Sequence, residues 1–427
     1  MSSRSNFSFE LTHHIDGTLG RAGIIHTPHG DIKTPNFSVV GTSAAVRYVP
    51  PEMLHQIGAQ AMLSNAYHLF RKAPEIAAAG GLAEYSWWNG PTITDSGGFQ
   101  VMSLGTGLGK VVSMDKRDIS DLSRRAADKD RLAVIDDDGV NFRHYLDGKL
   151  ERFTPEVSMQ IQHQIGADIM MAFDELTSIG DSYDYNVEAL ERTRLWADRC
   201  LAEHKRLEEV RSVTSQILQG KTYQALYGVL QGAHYQDLRK KAARDLGSMD
   251  FDGYGLGGAF EKEQLGDILK WVNSILPEHK PRHLLGLSKP DDIFIGVENG
   301  ADTFDCVAPT REARHGRIYT RSGNIQLLNS QFKNDTHILD DGTDPNGKRI
   351  ADPCDCPACA EGYTRAKLRE MLKDVHHDAP EEKTKALTLL SAHNLRFTIK
   401  LFEDIRTSIV TQKFAAFRDE FLKSYYK

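Results

Sequence analysis

Eight short apolar runs, each carrying β-branched or aromatic residues and each ending in a polar or glycine-containing tail, constrain this chain more than any other feature. They are NFSVVGTS (36–43), AMLSNAYH (61–68), PTITDSGG (91–98), ADIMMAFDE (167–175), ALYGVLQG (225–232), GYGLGGAF (253–260), HLLGLS (283–288) and DTFDCVAPT (302–310). Runs of this length read as strands buried on both faces. Helix signals lie between most of them. PPEMLHQIG (50–58) and TPEVSMQIQHQIG (154–166) place proline in a first turn, residues 186–207 and 262–276 are amphipathic, and KPDDIFIGVENG (289–300) opens on proline and closes on glycine. The alternation predicts an α/β fold with a parallel sheet, either a (β/α)8 TIM-type barrel or a doubly wound open sheet. The polar residues favour the barrel: Asn65, His68, Asp95, Ser96, Asp174, Glu175, Gln231, Gly257, Gly258 and Asp305 all fall at the C-terminal ends of the predicted strands. That end is the rim on which barrel enzymes carry their chemistry.

A chain of 427 residues has room for such a barrel and an added subdomain. Two stretches interrupt the pattern. Residues 106–142 form a long charged excursion, and residues 334–353, rich in Asp, Gly and Pro, read as a loop. The tail from about 381 to 427 has apolar residues at helical spacing. No apolar stretch approaches a membrane span and the N-terminus has no signal-peptide core, so a cytoplasmic protein is expected.

Three of the five cysteines, Cys354, Cys356 and Cys359, form a C-x-C-x2-C cluster shaped by Pro353 and Pro357. Three thiolates this close can converge on one tetrahedral zinc ion. The fourth ligand is read as His393, in the sequence SAHNL, with His376 or His377 as alternatives. Four protein ligands leave no open position, so the zinc is structural.

The candidate chemistry rests on two aspartates. Asp95 ends a strand and precedes the Gly97–Gly98 pair, which lets backbone approach a flat ligand; Phe99 is placed to stack on an aromatic base. The plainer reading of Asp95 is a helix cap. Asp305 sits inside an apolar run, where an unused carboxylate is costly. Two carboxylates at strand ends can divide the work of nucleophile and acid/base. Cys306, next along the strand, should face the opposite side. Asp174 and Gln231 offer the carboxylate and amide needed to read a purine edge. The net charge of −7 argues against a nucleic-acid partner, yet Arg311, Arg314, Arg317, Arg321 and Lys333 stand in one short stretch against only Glu312.

Taken together, SNAYHL (64–69), TDSGGFQVMSL (94–104), FDE (173–175), GVLQG (228–232), FDGYGLGG (251–258), LLG (284–286), FDCVAPTR (304–311), the cysteine cluster and AHN (392–394) closely resemble the tRNA-guanine transglycosylase family, also called queuine tRNA-ribosyltransferases, from about residue 8 to the C-terminus. The resemblance implies a homodimeric glycosyltransferase of bacterial type in queuosine biosynthesis. Such an enzyme exchanges guanine at a tRNA wobble position for a 7-deazaguanine base, either 7-aminomethyl-7-deazaguanine or queuine. It further implies Asp305 as nucleophile and Asp95 as acid/base group. Ser96, Asp174, Gln231, Gly257 and Gly258 would hold the base, Phe99 and Leu285 would flank it, and Thr310, Arg311 and Arg314 would grip the anticodon. Cys354, Cys356, Cys359 and His393 would bind one Zn2+. The implied division is barrel and rim over 1–310, anticodon-contacting loop and zinc subdomain over 311–392, and a C-terminal helix over 393–427. The chain departs from the family pattern at Leu176, at Ala233–His234 and over AFEKE (259–263). A sister enzyme acting on another tRNA position or on DNA, and a non-catalytic zinc- and RNA-binding partner subunit, are the alternatives.

Overall fold

The computed structural model describes residues 6–105, 133–144, 146–218, 223–344, 346–373 and 380–426. All eight predicted strands are present: β1 (Asn36–Val40), β2 (Met62–Asn65), β3 (Thr92–Asp95), β4 (Ile169–Met171), β5 (Ala225–Leu230), β6 (Gly253–Leu256), β7 (Arg282–Leu284) and β8 (Thr303–Asp305). Each pairs in parallel with its sequence neighbour, and β8 pairs with β1 through Phe304 and Phe37, so the sheet closes into a barrel and the open-sheet alternative falls away.

Period-two alternation divides each strand between two cores. Leu63, Ile93, Ile169, Met171, Tyr227 and Val229 share one buried cluster with Ile25 and Ile32 of an N-terminal antiparallel sheet (Ser8–His14, Arg21–Thr27, Gly30–Thr34). Met62, Met170, Leu226, Leu230, Leu284 and Phe304 instead join the larger cluster with the surrounding helices. The N-terminal sheet caps the barrel at the end where the strands begin, away from the rim. Buried Arg21 ties it there with a fork to Asp302, at 2.9 and 2.7 Å.

The helix signals act as the sequence implies. In Pro155–Ile165, Thr154 caps the first turn by accepting from the Val157 N–H, Pro155 opens the helix, and Gly166 ends it at φ 72°. The helical tail resolves into two helices, Pro380–Val410 and Phe414–Tyr425. The first covers the β8–β1 seam, where Phe402 packs its ring on Phe304 and Phe37 at centroid distances of 5.1 and 6.1 Å. Burying one such ring contributes roughly 2–3 kcal/mol. A division at residue 393 therefore falls inside one continuous helix.

Three features differ from expectation. The N-terminal sheet was not among the expected elements. The excursion ends in a second antiparallel sheet (Ala133–Asp136, Gly139–Arg143, Leu150–Phe153), while residues 106–132 of it lie outside the described residues. The basic stretch is not a loop: it comprises a helix, Ala308–Arg314, and a hairpin, Arg317–Thr320 with Gly323–Gln326. Among the described residues, no helix is long and apolar enough to cross a membrane.

Candidate active site and zinc centre

Barrel closure brings the predicted rim residues together. Asp95 ends β3 beside Asn65 of β2. Its Oδ1 accepts from the backbone N–H groups of Ala66 (2.9 Å) and Gly97 (3.2 Å), and its Oδ2 accepts from the Asn65 amide. Burial pushes the Asp95 carboxyl up to about 7; the two N–H donors oppose that shift and the charge of Asp305 adds to it. It is therefore poised to gain or lose a proton near neutrality, which a simple helix cap is not.

Asp305 ends β8. Its Oδ1 accepts from the Gly286 N–H at 2.9 Å and lies 3.2 Å from His283 Nε2, while His283 Nδ1 contacts Thr303 Oγ at 2.8 Å. His283 is fully buried, so its ring has little freedom. Among the described residues Oδ2 accepts no hydrogen bond, which leaves one oxygen pinned and the other available. Sequence reasoning missed His283; its only signal was a histidine inside an apolar strand. Cys306 packs against the main core, and burial raises its thiol. It is thus a poor thiolate beside an available carboxylate.

After β4, the strand paired with β3, Asp174 accepts from Ser96 Oγ at 3.2 Å and from Gln231 Nε2 at 2.6 Å. Burial pushes Asp174 up to about 6 against those two bonds. Gly98 is required here, because a Cβ would stand 2.9 Å from the Asp174 carbonyl oxygen. Glu175, one residue on, turns away to a buried ion pair with Arg192 and a 2.6 Å bond from the Tyr185 hydroxyl. Gly257 and Gly258 follow β6, and Leu285 follows β7 with its Cδ1 3.1 Å from where a Cβ on Gly257 would lie. Phe99, in the first turn of Gly98–Gly105, remains 36% exposed.

The basic residues sort differently from the sequence reading. Arg317 pairs with Glu312 at 3.2 Å and Arg321 with Asp404 at 2.5 Å. Thr310 is buried and donates to the Val307 carbonyl within its own helix, so its hydroxyl is not offered to a partner. Arg311 and Arg314 have no carboxylate partner among the described residues. Arg47, from the β1–β2 connection, joins them: burial and the Arg47 and Arg311 cations pull Arg314 below the usual arginine range. Three like charges left together are a ready anion site.

Away from the rim, Cys354, Cys356 and Cys359 surround His393 Nδ1 with their sulfurs at 3.6, 3.2 and 3.6 Å. His393 Nε2 lies 2.8 Å from the Tyr319 carbonyl, which fixes the tautomer by accepting its proton and leaves Nδ1 as a metal-binding lone pair. This Cys3His set fits a single structural zinc ion. It belongs to a separate hydrophobic cluster that includes Ile318, Leu327, Leu339, Leu368 and Leu390. His376 and His377 lie outside the described residues. A second group, His163, His204 and Glu208, also gathers ligand-type atoms. There the two imidazoles bond each other at 3.0 Å and the Arg211 guanidinium, 3.3 Å from Glu208, already supplies the cation.

Fold and site together define a (β/α)8-barrel enzyme with paired carboxylates at its C-terminal rim and a separate structural zinc centre. A family model described as TGT: Queuine tRNA-ribosyltransferase matches residues 16–427. The chain is 38% identical over 423 residues to a queuine tRNA-ribosyltransferase of Halalkalibacterium halodurans, covering 98% of this chain and 96% of the relative. It is 39% identical over 410 residues to one of Staphylococcus aureus, covering 95% and 93%. The chain belongs to the queuine tRNA-ribosyltransferase family and is a transglycosylase of that type.

Proposed function

We propose that this enzyme exchanges guanine at the wobble position of a tRNA anticodon for a 7-deazaguanine base by double displacement. The contrast between its two carboxylates carries the reading: Asp305 has one pinned and one available oxygen, whereas desolvation in the half-buried rim pushes Asp95 up to about 7. In the first step the available Asp305 oxygen attacks ribose C1′, a C–O bond forms, the C1′–N9 bond to guanine breaks, and Asp95 delivers the proton that lets guanine leave. In the second, Asp95 takes the N9 proton of the incoming base, N9 attacks C1′, and Asp305 departs. Two inversions give net retention. Asp174, Ser96, Gln231 and the Gly257–Gly258 backbone hold the base edge between Phe99 and Leu285. The zinc ion plays no part in these steps; it fixes the subdomain and the helix that carries His393.

The direct test is base exchange on anticodon stem-loops with guanine, 7-aminomethyl-7-deazaguanine and queuine supplied separately. Exchange confined to another tRNA position, or absent with every base, overturns the reading. The proton role of Asp95 has a pH signature. Above about 7 Asp95 is ionised and guanine release slows; below about 7 it is protonated and capture of the incoming base slows. Single-turnover rates of the two half-reactions should bend in opposite directions near neutrality, and Asp95→Asn should remove both bends with a loss of about 10²–10⁴-fold.

Arg47, Arg311 and Arg314 form the proposed phosphate-binding group, with Thr310 supporting from within the helix that carries Arg311 and Arg314. Removing one of these cations, as in Arg311→Ala or Arg314→Ala, should make the dependence of log K on log salt shallower by about 0.7–0.9. Arg317→Ala, already paired with Glu312, should leave the slope nearly unchanged. Equal slopes in wild type and an Arg311/Arg314 double variant would remove this surface from tRNA binding.

A further inference from the structure

Arg239 is a buried arginine with no carboxylate partner among the described residues. It lies in the helix Gln236–Gly247 and is 1% exposed. Its Nε donates to the Ala233 carbonyl at 2.7 Å, and its Nη1 donates to the carbonyls of Leu230 (3.2 Å) and Gly257 (2.8 Å). These bonds clamp the ends of β5 and β6, the segments that present Gln231 and Gly258. Phe260 covers the guanidinium at 5.5 Å. Burial alone pulls Arg239 down to about 9, with no opposing charge to offset it.

Two polar atoms in this region are buried and have no hydrogen-bond partner among the described residues: Arg239 Nη2, a donor, and Gln231 Oε1, an acceptor. They flank the same space. A Cβ on Gly258, whose φ is +117°, would stand 2.4 Å from Arg239 Nη2 and 3.0 Å from Gln231 Oε1. The donor and acceptor are therefore at most one water apart, and leaving both unsatisfied would be costly. On its other side the Gln231 amide donates Nε2 to Asp174.

We infer that Arg239 is a positioning residue that orients the Gln231 amide, directly or through one water, and so sets the pocket's preference for a 6-oxo over a 6-amino purine. The inference rests on the proposed base exchange. With its oxygen held toward a cation and its nitrogen toward a carboxylate, the amide has one orientation. One Nε2 hydrogen goes to Asp174, and the second is left to donate to an oxo group on the base. A reversed amide would set nitrogen against guanidinium and oxygen against carboxylate. Without Arg239 the first of these penalties disappears, and an amide presenting oxygen can accept from a 6-amino group.

The test compares guanine with 2,6-diaminopurine, which has a 6-amino group for the 6-oxo group and an unprotonated N1 for N1–H; the N1 difference is the same for wild type and variant, so a change in their ratio reports on position 6. Wild-type protein must first exchange guanine into a stem-loop; failure there overturns the base-exchange reading itself. Given exchange, Arg239→Met should raise the KM for guanine about tenfold with kcat within a few-fold. It should also narrow the gap between guanine KM and 2,6-diaminopurine inhibition constant by about tenfold or more. Arg239→Lys, which keeps the charge but not the fork, should shift the same ratio less. A merely structural arginine would lower activity without moving the ratio. An unchanged ratio in a folded, zinc-replete Arg239→Met protein overturns the inference. Should that variant not fold, the Lys variant and a crystal structure of the wild-type guanine complex decide. Gln231 Oε1 joined to Arg239 Nη2, directly or by one ordered water, supports the inference, and Oε1 turned away from Arg239 ends it.

Discussion

Asp305→Asn should bind tRNA as the wild type does, form no covalent adduct, and lose base exchange by on the order of 10⁴-fold or more. The substitution is close to silent structurally. An asparagine Oδ1 can still accept from the Gly286 N–H and lie against His283, as the aspartate Oδ1 does at 2.9 and 3.2 Å. Only the second oxygen, the one proposed to attack, is replaced, and an amide nitrogen cannot take its place. Enzyme incubated with tRNA and a 7-deazaguanine base and run on a denaturing gel should show an RNA-linked band in wild type alone. Mass mapping should place the link on Asp305. Cys306 is the competing nucleophile by proximity, but its thiol is raised by burial. An adduct on Cys306, or an adduct of full strength in Asp305→Asn, would overturn the mechanism.

Cys356→Ala should lose zinc and fold stability together. Apparent binding free energies at structural zinc sites are about 10–16 kcal/mol, comparable with or larger than the roughly 5–15 kcal/mol that stabilises a whole domain. Cys356 is fully buried and its sulfur is the nearest of the three to His393 Nδ1, at 3.2 Å. Its removal breaks the tie between the Pro357–Ala360 turn and the long helix Pro380–Val410. That helix also shields the β8–β1 seam through Phe402, so the damage should spread from the zinc subdomain to the barrel. Elemental analysis and thermal unfolding read both effects, and chelation of the wild type should reproduce them. A folded Cys356→Ala protein that still holds stoichiometric zinc would rule out this ligand set.

What the sequence determined by itself was local in its physics. Buried parallel strands must be apolar along both faces, so β1 to β8 were legible as eight runs, and the catalytic rim was legible as the polar tails that end them. Crowded thiols have few uses besides metal binding, so three zinc ligands could be read from spacing, and His393 was read as the fourth with His376 or His377 left as alternatives. The N-terminal sheet was not legible, because in Ser8–His14 the alternation rests on two half-buried apolar residues, Phe9 and Leu11, between exposed polar ones, and His13 ends it on the same face. Tertiary structure decided the partners. Asp174 and Glu175 are adjacent in sequence, yet the first enters the site and the second turns to Arg192, a choice made by packing. Arg317 and Arg321 looked like members of a basic face until folding paired them with Glu312 and Asp404, while Arg47 arrived from a distant connection to stand with Arg311 and Arg314. His283 against Asp305, and Arg239 beside Gln231, likewise depend on which strand ends the closed barrel sets side by side. Periodicity along a chain encodes the element and the face it buries; the charge or hydrogen-bond partner a side chain meets there is set by chain closure across many residues, and no local pattern carries it.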